Sequence, residues 1–148
     1  MKETQVPPVL LGKALWLWLS GKVRFPKDLI GHIIKEEEDF KIFRKVIVLD
    51  KDLTYKTPGA IFKIKFQFAK SSFDTNRRLS RIPIPFIIAQ PGFISKTWLV
   101  GLETGAFQGL YEWETRETAN NYINSFPLKL MKKRAKSDSI SIHIESIG

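Results

Sequence analysis

Residues 92–126, read as GFISKTWLVGLETGAFQGLYEWETRETANNYINSF, decide the fold. Two runs rich in apolar residues, 93–100 and 106–114, flank the link GLETG. Runs with β-branched and aromatic side chains, joined by a Gly-containing link of about three to five residues, are typical of a β-hairpin. Thr115 can cap a helix, and apolar residues then repeat at helical spacing up to Phe126. The stretch therefore predicts strand, turn, strand and helix.

Two further strands are predicted on either side of this stretch. In the predicted strand 60–69, residues 62–68 alternate strictly between apolar and polar side chains, and residues 139–147 alternate in the same way. The predicted apolar face comprises Phe62, Ile64, Phe66, Phe107, Tyr111, Trp113 and the isoleucines of the last strand. The opposite face carries Lys63, Lys65, Gln67, Gln108, Glu112, His143 and Glu145. One face is therefore expected to lie under helices and the other to remain open.

The segments between the strands predict helices. Asp74 or Thr75 can cap a short helix that ends near Ser80 or Arg81. Residues 82–86, IPIPF, are expected to be extended, because proline lacks the backbone N–H and disfavours helical geometry in the residue before it. Pro127 is expected to interrupt the helix after the hairpin before residues 128–134 resume it.

From residue 60 onward the predicted order is strand, helix, strand, strand, helix, strand. This is the split βαβ order of ferredoxin-like domains in the α+β class, in which helices cover one face of the sheet. An open sheet face with charges of both signs predicts a partner sheet. We therefore expect a homodimer that closes through the polar sheet face.

Residues 1–57 are predicted to form an N-terminal extension to a main domain at residues 58–148. Residues 9–19, VLLGKALWLWL, are intensely apolar, but the run is shorter than the roughly 20 residues that a spanning helix needs. The favoured interpretation is a helix packed on protein, with Leu15 and Trp16 buried. The alternative is an interfacial helix that makes peripheral membrane contact through residues 9–24. After it, residues 29–35 are predicted to be helical and residues 40–49 to form a strand.

Composition excludes several classes of protein. The chain has 148 residues, is 43% hydrophobic and carries a net charge of +9. Its basic residues are spread along the sequence except for a cluster within residues 129–136, and no nucleic-acid-binding motif accompanies that cluster. Nucleic acid is therefore not an expected partner. With no Cys and two His, a dedicated metal site is not expected either. Residues 1–8 lack the pattern of a secretory signal, which favours a cytoplasmic location.

Residues 60–148 resemble the dimeric α+β barrel superfamily, and most of all its small monooxygenases of the antibiotic-biosynthesis-monooxygenase type. The resemblance lies in QPGFISKTWLV at 90–100, GLYEWETRETANNY at 109–122 and SISIHI at 139–144. It implies an oxygenase without a cofactor that acts on an aromatic or quinone-like substrate. The alternative is a non-catalytic relative that binds haem or another lipophilic molecule, because fold does not decide function.

Seven residues are candidates for the site of such a protein. The expected catalytic residues are Tyr111, Trp113, Arg77 and His143, and the expected substrate-binding residues are Trp98, Asn76 and Ser80. The two aromatic residues of the second hairpin strand are either core side chains or the walls of a cavity for a flat ring. Arg77 stabilises a phenolate if the first helix turns it inward. His143 acts as a base only if the last strand faces the cavity, which its alternation argues against.

Overall fold

The computed structural model of the protein describes residues 5–70 and 72–147. Its helices are α1 (Pro7–Leu19), α2 (Phe73–Leu79), α3 (Ile84–Ile88), α4 (Arg116–Tyr122) and α5 (Phe126–Arg134). Its strands are β1 (Val23–Arg24), β2 (Ile33–Lys35), β3 (Asp39–Val48), β4 (Ala60–Phe66), β5 (Phe93–Gly101), β6 (Phe107–Trp113) and β7 (Ser141–Ser146). The expectation about a signal in residues 1–8 falls partly outside these ranges and stays a prediction.

The strands form one antiparallel sheet in the order β1-β3-β5-β6-β4-β7, with β2 also paired to β3. The segment β5-β6-β4-β7 has the strand order of a ferredoxin-like domain, so the predicted α+β class is confirmed. Strand β3, from the N-terminal extension, pairs along the outer side of β5. Strands from both the extension and the main domain share this sheet. The predicted domain boundary between residues 57 and 58 stays a prediction.

One face of the sheet is covered by helices and holds an aromatic core. The ring of Phe62 in β4 meets the rings of Tyr111 and Tyr122 edge to face, each at 5.4 Å between centroids. Trp113 is fully buried and stacks on Tyr111 at 6.1 Å. Aromatic pairs in these arrangements add stability beyond that of burying their area. The alternation of β4 and β6 therefore sorts their residues between the two faces as predicted.

The N-terminal extension covers part of the polar face. Glu36 forms an ion pair with Lys63 and accepts a hydrogen bond from Gln108 Nε2 at 3.0 Å. Tyr55 donates its hydroxyl hydrogen to Glu112. These contacts tie the extension to β4 and β6, so only the remainder of this face is open to a partner.

Two predicted elements differ in the structure. Residues 82–86 are not extended, because α3 begins at Ile84. Pro83 occupies the N-cap and Pro85 lies in the first turn, where a helix needs no N–H from either residue. Residues 29–35 are not helical: the backbone turns at Gly31, with φ of 93°, and then enters β2. A left-handed glycine ends any helix at that position.

Helix α1 packs on the protein as predicted, but through a narrower face than expected. Leu10, Ala14 and Leu17 are its buried residues. Leu15 and Trp16, which were expected to be buried, are 59% and 58% exposed. The error arises because apolar residues surround almost the whole helix and Lys13 is its one charge, so that the sequence does not mark which side faces the core.

Within residues 5–70 and 72–147, no helix has both the length and the apolar character needed to cross a membrane.

Leu10→Ala and Leu15→Ala form a matched pair in α1. Leu10 is 2% exposed, and its truncation is expected to lower the free energy of unfolding by about 2–5 kcal/mol. The same change at exposed Leu15 is expected to alter that energy by about 0.5 kcal/mol or less. Urea denaturation followed by circular dichroism measures both. Equal losses in the two variants would contradict the observed orientation of the helix.

Candidate active site

A cavity of about 70 Å³ lies between the helix-covered face of the sheet and helices α3, α4 and α5. Its floor is formed by β4, β5 and β6, and its roof by residues of the helices. The polar and aromatic residues of its lining are Phe66, Phe68, Ser80, Lys96, Trp98, Phe107, Gln108, Tyr111, Tyr122 and Arg134. Among the described residues that line it, two are basic and none is acidic. The cavity therefore favours a flat, anionic ligand.

Lys96 lies on the floor of this cavity between two aromatic rings. Its Nζ is 4.5 Å from the ring centroid of Trp98 and 4.6 Å from that of Tyr111. In the described part of the chain, this ammonium has neither a carboxylate within ion-pair distance nor a hydrogen-bond acceptor. The faces of aromatic rings attract a cation but do not replace a counter-ion. An anion that entered the cavity would supply that counter-ion.

The register of the hairpin explains why a lysine points into the core. Counted outward from the GLETG link, Val100 pairs with Phe107, Trp98 with Gly109 and Lys96 with Tyr111. Because side chains alternate along a strand, Lys96 and Trp98 lie on the helix-covered face with Phe107 and Tyr111. A β-bulge between Phe93 and Ser95 lies beyond these pairs and returns Phe93 to the same face, opposite Trp113.

Gly109 makes room for the lysine side chain. It lies opposite Trp98 in β6, beside the aliphatic stem of Lys96. A Cβ atom at residue 109 would come within 2.9 Å of Tyr111 Cε1 and 3.2 Å of Lys96 Cε. A larger residue would therefore displace the ring or the lysine stem from its present place.

The surroundings of Lys96 oppose its charge. Burial lowers the pKa of Lys96 well below its ordinary value, and the charge of Arg44 lowers that pKa further. Arg44 lies over the ring of Trp98, with its guanidinium carbon 5.1 Å from the centroid. It donates to Ser80 Oγ at 2.7 Å and to the carbonyl oxygen of Arg77 at 2.9 Å. Burial, with the nearby charges of Arg81 and Arg77, lowers the pKa of Arg44 to about 10.

Tyr111 and Tyr122 share a hydrogen bond of 2.9 Å between their hydroxyl oxygens. Burial raises the pKa of both phenols, and the neighbouring Tyr111 raises that of Tyr122 further. Both phenols are therefore neutral near pH 7 and serve as donors, not as bases. One hydroxyl donates to the other, which leaves the second O–H hydrogen available to a ligand.

Arg134 and Asn76 lie together beside the cavity. Arg134, in the last turn of α5, lines it and donates to Asn76 Oδ1 at 2.5 Å. Asn76 donates to the carbonyl oxygen of Lys70 at 3.2 Å. Burial lowers the pKa of Arg134, whose guanidinium also lies 4.7 Å from the ring centroid of Phe68. Asn76 therefore holds a basic residue of the lining in place.

The structure brings some of the predicted site residues together and separates others. Tyr111, Trp98 and Ser80 line the cavity, and the facing of Trp98, which its alternation left open, is toward the helices. Trp113 lies behind the cavity wall, fully buried. The Arg77 side chain does not line the cavity, although its carbonyl oxygen anchors Arg44.

His143 lies elsewhere. It pairs with Lys63 across β7 and β4, on the face away from the cavity, and it is exposed. The alternation of the last strand predicted this position. A side chain on the face away from the cavity cannot act as a base there. Within the described residues, no group of three or more His, Cys, Asp or Glu side chains is placed to hold a metal ion.

Sequence reasoning missed Lys96, Tyr122 and Arg44. The available signal was the hairpin register: pairing residues outward from the GLETG link places Trp98 opposite Gly109 and Lys96 opposite Tyr111. Tyr122 was recognised only as part of a helical apolar face. Arg44 gave no signal, because it reaches the site from the extension, beyond the elements assigned to the main domain.

Lys96→Met is expected to stabilise the protein, because it replaces a half-buried ammonium that has no counter-ion in the described chain by an apolar side chain of similar length. The unfolded chain keeps its proton on Lys96 up to a pKa of about 10.4, whereas the folded chain releases it at lower pH. Between those two pKa values the unfolded state holds more protons, so the free energy of unfolding of the unaltered protein rises with pH. Because a buried polar group without a partner costs about 1–3 kcal/mol, the variant should be more stable by that order at about pH 7, and it should lack this rise with pH.

Urea denaturation between about pH 7 and about pH 10 measures both effects. Lys133→Met is the matched control, because it makes the same change at an exposed residue of α5. A loss of stability in Lys96→Met at about pH 7 would contradict the absence of a counter-ion in the folded chain.

The fold is shared with solved structures of low sequence identity. A heme-degrading enzyme from Listeria monocytogenes is 10% identical over 78% of this chain and 74% of its own, with a TM-score of 0.56. A ferredoxin-fold protein related to antibiotic biosynthesis monooxygenases, from Listeria monocytogenes 4b F2365, is 12% identical over 78% and 68%, with a TM-score of 0.57. A monooxygenase-like protein from Listeria innocua is 12% identical over 78% and 67%, with a TM-score of 0.56. At these identities, the likeness concerns the fold alone.

No curated protein matches the sequence significantly. A family model, described as "Putative mono-oxygenase ydhR", matches residues 61–145. That match includes the hairpin, β4 and the helices α2 to α5, and it extends over more than half of the chain. The protein therefore belongs to the ydhR mono-oxygenase family.

Proposed function

We propose that the protein is a monooxygenase that acts on an electron-rich phenol or hydroquinone-like ring, bound as its anion. The observation that carries the proposal is the ammonium of Lys96, which lies between Trp98 and Tyr111 without a carboxylate partner in the described chain. Membership of a mono-oxygenase family supports the reaction class. The aromatic walls support a flat substrate, and the basic lining supports its negative charge.

A substrate of this class supplies the electrons that O₂ needs. An anthrone loses a proton from its CH₂ group to solvent and is bound as the phenolate of its enol form, an electron-rich anion. That anion reduces O₂, a C–O bond forms at the former CH₂ carbon, and the O–O bond then breaks. One oxygen atom becomes the new carbonyl and the other leaves as water, so the reaction balances without an external reductant. The proposal therefore includes no cofactor.

The chain's own residues take three roles in this proposal. Lys96 stabilises the phenolate, because a charge-assisted hydrogen bond in a site of low dielectric is strong. The free O–H hydrogen of the Tyr111 and Tyr122 pair is a second donor to the anion. Trp98 is the wall against which the ring lies flat. Trp113 has a supporting role, because it stacks behind Tyr111 and holds that ring in position.

Substrate entry requires the cavity to widen. Its volume of about 70 Å³ has room for only a few water molecules. A fused aromatic ring system needs more space than this. The lysine side chain occupies part of the floor above Gly109 and is the group that an anion would draw aside. We expect Lys96 to turn from the two rings to the bound anion, which leaves their faces free for the substrate.

Binding of haem or another lipophilic molecule without catalysis remains the second candidate. It is favoured by the likeness of the fold to a heme-degrading enzyme. The described lining of the cavity contains no His to act as an axial ligand, and its volume is far below that of a haem. These observations make haem a poor fit to the cavity in its present form.

Oxygen uptake by the metal-free protein with a panel of anthrones and hydroquinones tests the proposal. We expect uptake with at least one anthrone above its rate in buffer, and a carbonyl product that contains ¹⁸O from ¹⁸O₂. Lys96→Met is expected to lower kcat/KM by about ten- to a hundredfold, the loss of a hydrogen bond to a charged group. Tyr111→Phe is expected to lower it by about fivefold, the loss of a neutral hydrogen bond.

Lys133→Met is the matched control and is expected to retain full activity, because the residue is exposed on α5. Uptake that matches buffer throughout the panel would contradict the oxygenase. Uptake that is unchanged in Lys96→Met and Tyr111→Phe would contradict this cavity as its site. Tight binding of the same compounds without uptake would instead favour the non-catalytic candidate.

The proposal includes a homodimer that closes through the open part of the polar sheet face. His143 and Glu145 are exposed there on β7, beyond the part of the face that Glu36 and Tyr55 cover. A cytoplasmic location also belongs to the proposal and stays a prediction.

Light scattering at about micromolar concentration is expected to give the mass of a dimer. A two-fold interface pairs the same sheet face of two copies, and such an assembly closes at two chains. His143→Glu would place a second acidic residue beside Glu145 and is expected to shift the protein toward the monomer. A monomer mass for the unaltered protein would contradict this assembly.

A further inference from the structure

The outer face of α1 is an exposed apolar surface. Leu15, Trp16, Trp18 and Leu19 are between 58% and 75% exposed, whereas an all-apolar helix is normally buried in a core or in lipid. We call these four residues the α1 patch. Contiguous apolar surfaces of this kind mark interaction sites on proteins. The two tryptophans suit the boundary between water and hydrocarbon, because their rings are large and amphipathic.

The chain around the patch is basic. Residues 5–27 contain Lys13, Lys22, Arg24 and Lys27 and no acidic residue. Arg24 and Lys27 are exposed, and Lys22 Nζ lies 4.2 Å from the ring centroid of Trp16. The patch is therefore bordered by cations that follow directly after the helix.

A groove of about 760 Å³ continues this surface. It begins beside the patch. Phe25, Ile84 and Pro85 line both this groove and the cleft between α1 and α3, so that one apolar wall connects the two. Its basic lining residues are Lys27, Arg44, Lys45 and Arg81, and no acidic residue lines it in the described chain. An apolar floor with a cationic border matches the chemistry of an anionic lipid headgroup and its first methylene groups.

We infer that the α1 patch docks on the surface of an anionic lipid bilayer. The apolar side chains enter the interface, and Lys22, Arg24, Lys27 and the basic residues of the groove contact lipid phosphates. A second copy of the chain fits less well, because a symmetric contact through this patch would bring the two sets of cations together. This inference does not rest on the oxygenase proposal, since no residue of the patch lines the cavity.

Sedimentation of the full chain with lipid vesicles tests the inference. Vesicles of phosphatidylglycerol are expected to bind it at least tenfold more tightly than vesicles of phosphatidylcholine. The double variant Leu15→Ser, Trp16→Ser is expected to bind phosphatidylglycerol at least tenfold more weakly. The triple variant Lys22→Gln, Arg24→Gln, Lys27→Gln is expected to lose about a hundredfold, at roughly fivefold for each basic residue near the surface.

Leu102→Ser is the matched control, because Leu102 is 55% exposed on the turn between β5 and β6. It should bind like the unaltered protein, and circular dichroism should show every variant folded. Brominated lipid is expected to quench tryptophan fluorescence in the unaltered protein and less in the double variant. No binding to either vesicle, equal binding to both, or full binding by the double variant would overturn the inference. Light scattering that showed dimers broken by the double variant, without vesicle binding, would assign the patch to a second copy and also overturn it.

Discussion

The register of β5 against β6 is the constraint on which the site depends. Pairing that starts at the GLETG link places Trp98 opposite Gly109 and Lys96 opposite Tyr111, on the helix-covered face. A slip of one residue in this pairing would turn Lys96 and Trp98 toward the polar face, because side chains alternate along a strand. The cavity would then lose its cation and one aromatic wall. The bulge between Phe93 and Ser95 lies beyond these pairs and returns Phe93 to the aromatic core, opposite Trp113.

The lysine in that cavity works against the stability of the fold. Its charge forms no ion pair in the described chain, and no backbone carbonyl accepts its hydrogens. Local conflicts of this kind are concentrated at functional sites. An anionic ligand would resolve the conflict and would also favour the protonated amine. Ligand binding should therefore be linked to proton uptake at pH values above the lowered pKa of Lys96.

Much of the fold was readable from the sequence because local signals agreed there. The hairpin, the alternation of β4 and the capping box at Thr115 each follow from short-range chemistry. The segment 82–86 was misread because proline is unfavourable inside a helix but acceptable in its first turn. Tyr111 followed from strand alternation, whereas Lys96 did not, because both sets of alternate residues in 93–100 mix polar and apolar side chains.

The contribution of the N-terminal extension to the sheet and the site could not be predicted from local sequence patterns. Its strand could be predicted, but its place in the sheet depends on pairing between β3 and β5, about fifty residues apart in the chain. That pairing brings Arg44 over Trp98. The orientation of α1 was equally hidden, because apolar residues lie on almost every side of the helix and one charge, Lys13, does not define a polar face.

The place of β3 also bears on how the molecule avoids self-association. In a bare ferredoxin-like unit, β5 would be an outer strand with unpaired backbone groups, a template for aggregation through added strands. Here β3 pairs along it, and the strands beyond β3 are only the short β1 and β2. At the other end of the sheet, β7 carries exposed His143 and Glu145, and charged side chains discourage further strand addition. Loss of the extension would therefore expose the edge of the nine-residue β5, whose unpaired backbone groups could pair with strands of another chain.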